Sequence, residues 1–270
     1  MSEELQECDR HAKVKVYCVV AVCGFGSVFL WLRLVADYAV ADTLLMAVLL
    51  VGLPFLSIVQ VPLVSGLSID RMRAYWSSIV TLWILGVTCW LVGTRGGDVS
   101  AIGIVPLSAS AMLGWSITLT LAGMGIILCF RWITDRFSLT ETRLLKNLLP
   151  KTYQERRVFV VLSFAAGTCE ELAYRGYAIS MLAPVMGLSG AAATSALVFG
   201  LMHGYQGRLG VFRTTLMGLV LAWGFIASGS LLPAMIAHTT IDLIAGIVLG
   251  DWLLSPEPDF GIDSKESPLF

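Results

Sequence analysis

Residues 158–183 read VFVVLSFAAGTCEELAYRGYAISMLA, an apolar run long enough to cross a bilayer that nevertheless holds Glu170, Glu171 and Arg175 near its middle. A helix needs about 20 apolar residues to span the hydrocarbon core. A charge at its centre costs about 2.5–3.5 kcal/mol on insertion scales. Three charges within two turns persist only where they pair with one another or face a polar cavity.

The rest of the chain agrees with a membrane setting. Of 270 residues, 57% are hydrophobic and 14% charged, and mean hydropathy is +0.80, whereas soluble domains carry about a quarter charged residues. The composition predicts an all-α fold, a polytopic integral membrane helical bundle. Apolar runs near 15–33, 43–64, 75–93, 112–132, 158–183, 190–204, 212–229 and 231–250 give about eight transmembrane helices. The first run follows Lys13 and Lys15 and precedes an AVA at 39–41, which imitates a signal peptide. Its apolar stretch is long for a signal sequence, so it reads as a first membrane span.

Net charge is −1, which offers no electrostatic argument for nucleic acid. The six cysteines form no CxxC pair and mostly sit in apolar runs, where cysteine acts as a small hydrophobe. Trp31, Trp76, Trp132 and Trp252 lie near span ends, as interfacial anchors do.

Basic residues gather in alternate connections: Arg10, Lys13 and Lys15; Arg71 and Arg73; then Arg131, Arg136, Arg143, Lys146, Lys151, Arg156 and Arg157. The positive-inside rule puts these in the cytoplasm, together with both termini. The chain then divides into a cytoplasmic segment 1–14, N-terminal membrane helices 15–132, a basic cytoplasmic connection 133–157, a membrane core 158–250 and an acidic tail 251–270. Leucines 144, 145, 148 and 149 interleave with the bases of the connection. That spacing fits either an amphipathic helix on the inner surface or a plain loop.

Between residues 160 and 250 the only acids are Glu170, Glu171 and Asp242, and the only histidines are His203 and His238. Glu171 and Arg175 stand four apart, share a helix face and can pair, with the acid on the favourable N-terminal side. Glu170 diverges by roughly 100° and has no local cation. A buried carboxyl without a cation is one whose proton affinity suits a general base. FGLMHG sets Phe199 and His203 four apart, with Gly200 and Gly204 as a GxxxG pair that admits a neighbouring helix. HTTID sets His238 and Asp242 one turn apart, so that the acid can orient the ring. HGYQGRLG, 203–210, reads as a tight turn rather than a phosphate loop, with Arg208 as an alternative contact for a substrate carboxylate.

The ordered trio EExxxR (Glu170, Glu171, Arg175), FxxxH (Phe199, His203) and HxxxD (His238, Asp242) resembles the CAAX protease and bacteriocin-processing (CPBP, Abi) family over roughly residues 150–250. The resemblance implies an intramembrane endopeptidase of the glutamic type, acting on a membrane-anchored, prenylated or peptide substrate in the lipid bilayer, with no cofactor. It implies catalytic roles for Glu170 as general base, His203 as its partner and His238 at the oxyanion, with Asp242 orienting His238. Glu171, Arg175 and Phe199 are then supporting residues. Prenyl endopeptidases of this family carry asparagine where Asp242 stands. Aspartate is common among prokaryotic members, and the sole asparagine, Asn147, lies in no sequon, so a prokaryotic plasma membrane is the expected location. Three alternatives stay open: a zinc site of Glu170, His203 and His238, a proton-coupled transporter, and a non-catalytic immunity or scaffold protein.

Overall fold

A computed structural model describes residues 2–64, 69–95, 97–139 and 142–253. Among these no strand occurs, and the architecture is a bundle of helices. Helix α1 (Ser2–Leu34) leads to α2 (Val40–Ala47), which runs through a π turn at Val48–Gly52 into α3 (Leu53–Val64). Then come α4 (Arg71–Gly93), α5 (Ala109–Arg136) and the short α6 (Arg143–Leu148). The second half holds α7 (Tyr153–Glu171), a π segment (Leu172–Ile179), α8 (Ser180–Met202), α9 (Gly207–Ser228), α10 (Leu232–Leu243) and α11 (Gly250–Leu253). The acidic tail expected at 251–270 lies, from residue 254 onward, outside the described residues.

Among the described residues six helical stretches are long and apolar enough to cross a membrane, and Leu232–Val248 is a shorter apolar one. The chain is an integral, multi-pass membrane protein. The runs expected at 158–183 and 190–204 fall in one stretch of 50 residues, Tyr153–Met202. At about 1.5 Å per residue a straight helix of that length would be far longer than a bilayer is thick. Gly187, at φ 76°, breaks the helical geometry, a conformation that glycine adopts without steric cost. Beyond it the chain turns back: the rings of Tyr174 and Phe199 lie 5.5 Å apart, and the Ser195 hydroxyl donates to the Tyr174 carbonyl at 2.6 Å. The expected pair of spans is therefore a helical hairpin that turns without a loop.

The second half forms the centre of the bundle. α10 packs on α7, α5 and α9, and α8 packs on α9 and the π segment. Gly167 permits the close approach of α10 to α7, because a Cβ there would stand 2.6 Å from the Thr239 nitrogen and 3.0 Å from the Met235 oxygen. α7 and α10 thus meet backbone to backbone, just where the acids of one face the histidine of the other.

The first half buttresses this centre through buried polar contacts. Tyr177 donates to Asp42 at 2.9 Å, and Arg95 forms an ion pair with the same carboxylate, which is only 1% exposed. The Tyr38 hydroxyl donates to the Met181 carbonyl, and the Ser57 hydroxyl to that of Met202. The bonds at Tyr177, Met181 and Met202 tie the first half to the hairpin, and Arg95 braces Asp42 from within the first half. Burying such groups is costly without partners, so these pairs fix which early helix faces which part of the core.

Candidate active site

Glu171 and Arg175 are wholly buried and pair at 2.6 Å, as their spacing predicts. The π segment begins directly after Glu171 and carries Arg175. Such widened turns are rare and concentrate at functional sites. The guanidinium also lies over the Phe199 ring, 4.2 Å from its centroid. Phe199 therefore provides an aromatic face to a buried cation, which accounts for its place in the motif.

Glu171 has a second partner that spacing could not reveal. Its Oε1 also accepts from His238 Nδ1 at 2.8 Å. A carboxylate can only accept here, so Nδ1 carries the proton. The opposite ring nitrogen, Nε2, stands 3.8 Å from both Glu170 Oε2 and Asp242 Oδ2. His238 is thus held by Glu171 on one edge and faces two carboxyl groups on the other. The acid expected to orient it, Asp242, is more distant than Glu171 and more exposed, at 35% for its side chain.

His203 ends α8 rather than sitting within it, with φ −91° and ψ 22°. The turn expected at 203–210 is present as a single 3-10 turn, Gly204–Gln206, before α9 begins. Of the glycine pair, Gly200 faces Thr215 and Val211 of α9, while Gly204 lies past the helix end. His203 Nδ1 bonds the Phe199 carbonyl at 2.8 Å. A carbonyl only accepts, so this nitrogen donates, and the neutral ring keeps its lone pair on Nε2.

Glu170, Phe199, His203, His238 and Asp242 all line one cavity of about 910 Å³. Its walls include apolar residues of the early helices, such as Leu53, Leu56 and Leu82. Leucines 144, 145, 148 and 149 of the basic connection line it too, so that the α6 region turns its apolar side to the cavity. The Tyr75 hydroxyl donates to the Leu148 carbonyl at 2.6 Å and anchors that segment to α4. Arg213, Gln206 and Tyr205 line the same space, and composition had singled out none of them for this site. Among the described residues no group of three His, Cys, Asp or Glu side chains stands at metal-ligand spacing.

This convergence of three motifs from α7, α8 and α10 is accompanied by a family match. Residues 154–244 match the family model described as "Type II CAAX prenyl endopeptidase Rce1-like". No curated protein and no solved structure matches the chain. The matched segment begins in the first turn of α7 and ends just after α10, so it encloses every motif residue of the cavity. Over residues 154–244 the chain is thus similar to the type II CAAX prenyl endopeptidases, in agreement with the resemblance that its three motifs carry.

Proposed function

We propose that the protein is an intramembrane endopeptidase that hydrolyses a peptide bond of a membrane-anchored or lipidated substrate with water activated by Glu170 and His203. The observation that carries this reading is the meeting of Glu170, His203, His238 and Asp242 on one largely apolar cavity. The family match over residues 154–244 supports CAAX-type proteolysis as the class of activity.

Glu170, unlike its neighbour Glu171, is not bonded by Arg175, which suits it to take a proton. Water oxygen bonds to the carbonyl carbon, the π pair moves to the carbonyl oxygen, and one water proton passes to Glu170. His203, with Nε2 available, accepts a hydrogen bond from the same water and orients it. His238 lies beside the developing oxyanion, its ring fixed by Glu171. On collapse the carbonyl re-forms, the C–N bond breaks and the proton returns from Glu170 to the leaving amine. The products are a carboxylic acid and an amine.

The reading assigns no metal to these steps. The test is cleavage of membrane peptides by purified protein, wild type against Glu170→Gln, with and without a strong chelator. Cleavage lost in the variant and kept under chelation is the expected result. Chelator inhibition reversed by zinc would replace the metal-free mechanism. No cleavage by the wild-type protein would favour a non-catalytic or proton-carrying role.

A further inference from the structure

Tyr205 stands beside His203 on the cavity wall, their ring centroids 5.9 Å apart. Its hydroxyl is joined to Gln206 Nε2 at 3.2 Å, and Gln206 Oε1 is joined to Arg213 Nη2 at 3.0 Å. Chemistry sets the direction of this chain. A guanidinium only donates, so the amide must present its oxygen to Arg213. The amide nitrogen then faces the phenol and donates to it.

A phenol oxygen that accepts this bond keeps one proton of its own. Among the described residues that proton meets no acceptor, although the ring borders a cavity lined by the Glu170 and Asp242 carboxyl groups and by two histidines. The turn that carries Tyr205 is itself held, since its carbonyl accepts from Thr142 Oγ1 at 3.1 Å and the Gln206 nitrogen donates to the His203 carbonyl at 2.9 Å. Hydrogen bonds in such a chain polarise one another, which strengthens the phenol as a donor.

The other donors of the site are largely spent. His203 Nδ1 is used on Phe199, and His238 Nδ1 on Glu171. Asp242, as a carboxylate, can only accept. Peptide hydrolysis needs hydrogen-bond donors where the carbonyl oxygen gains charge.

Resting on the endopeptidase reading, we propose that Tyr205 is a further catalytic residue, whose hydroxyl, set as a donor by Arg213 and Gln206, bonds the carbonyl oxygen of the scissile peptide as it becomes an oxyanion. No proton is transferred in this contact. Tyr205 shares the oxyanion with His238, whose Nε2 can donate only when the ring is protonated, and Gln206 is a positioning residue.

The test is steady-state cleavage of a farnesylated, internally quenched peptide in detergent micelles by four proteins: wild type, Glu170→Gln, Tyr205→Phe and Gln206→Glu. Tyr205→Phe keeps the ring and should lower kcat on the order of 10²–10³-fold, with KM changed less than about threefold. Gln206→Glu should keep its contact with Arg213, but a carboxylate accepts only, so it captures the phenol proton and should lower kcat by about tenfold or more. Should Tyr205→Phe fail to fold, Gln206→Glu decides the matter, with thermal unfolding confirming that it is folded. Cleavage that depends on Glu170 but proceeds at wild-type kcat in both other variants overturns the assignment and leaves the endopeptidase reading standing. A rise in KM alone overturns it too, because it marks ground-state binding. Wild-type protein that leaves the peptide intact removes the endopeptidase reading and the assignment with it.

Discussion

Glu171 and His238 lie 67 residues apart in the chain and share a hydrogen bond of 2.8 Å inside the bundle. The same oxygen of Glu171 accepts from Arg175 at 2.6 Å. One carboxylate therefore links the ion pair of the first motif to the histidine of the third. The two neighbouring glutamates have different work, and substitution should separate them.

Glu170→Gln preserves shape and should abolish cleavage while leaving the thermal unfolding midpoint near that of the wild type. Glu171→Gln should lower that midpoint, because a buried guanidinium left without its counter-charge costs about 3–5 kcal/mol. Unfolding in detergent monitored by circular dichroism, alongside peptide cleavage, checks both. Equal midpoints for the two variants would contradict the asymmetry.

Asp242→Asn should retain substantial activity. Asp242 Oδ2 is 3.8 Å from His238 Nε2, beyond a direct hydrogen bond, whereas Glu171 holds the other edge of the ring. An amide at this position can also donate to an oxyanion. Complete loss of kcat in this variant would mean that the site needs a charge there.

Gly167→Val should damage both folding and function. The new side chain would press on the Thr239 and Met235 backbone and push α10 from α7. Overpacking of this kind costs about 1–3 kcal/mol. The displacement also draws His238 from Glu171, so activity should fall further than the loss of folded protein explains. Cleavage normalised to folded protein measures the difference.

Tyr177→Phe should destabilise without altering the chemistry. It removes the bond to Asp42 in a region where both residues are at most 1% exposed. Leaving that oxygen without its donor costs about 1–3 kcal/mol. The expected readout is a lower unfolding midpoint with unchanged kcat per folded molecule. A large change in kcat would mean that the early helices act on the site itself.

Local order is what the sequence made legible. The Glu171–Arg175 pair, the Phe199–His203 turn and the His238–Asp242 turn all follow from four-residue spacing, and each is present. The polar inventory of 160–250 was short enough to suggest that the three motifs meet, and they line one cavity. The glycines around Tyr205 announced a turn, and a turn is there. Relations between distant segments were hidden. No pattern in EELAYR indicates that Glu171 serves His238, since that bond depends on how closely α10 approaches Gly167. The gap between the runs at 158–183 and 190–204 implied a reversal there, but nothing in it showed that the turn would be made at Gly187 within a continuous helical stretch. The leucines of the basic connection suggested a surface helix or a loop, and their place on the cavity wall came from the anchoring of that segment by Tyr75.

The reversal at Gly187 also bears on the order in which the site is made. Glu170 and His203 belong to one uninterrupted stretch of chain that doubles back on itself, and it emerges from the ribosome as a unit. His238 and Asp242 follow only after α9 has been synthesised. During biosynthesis the first two motifs are therefore both made before the third exists. Because α10 carries His238 and Asp242, the cavity cannot be complete until that last helix has been synthesised.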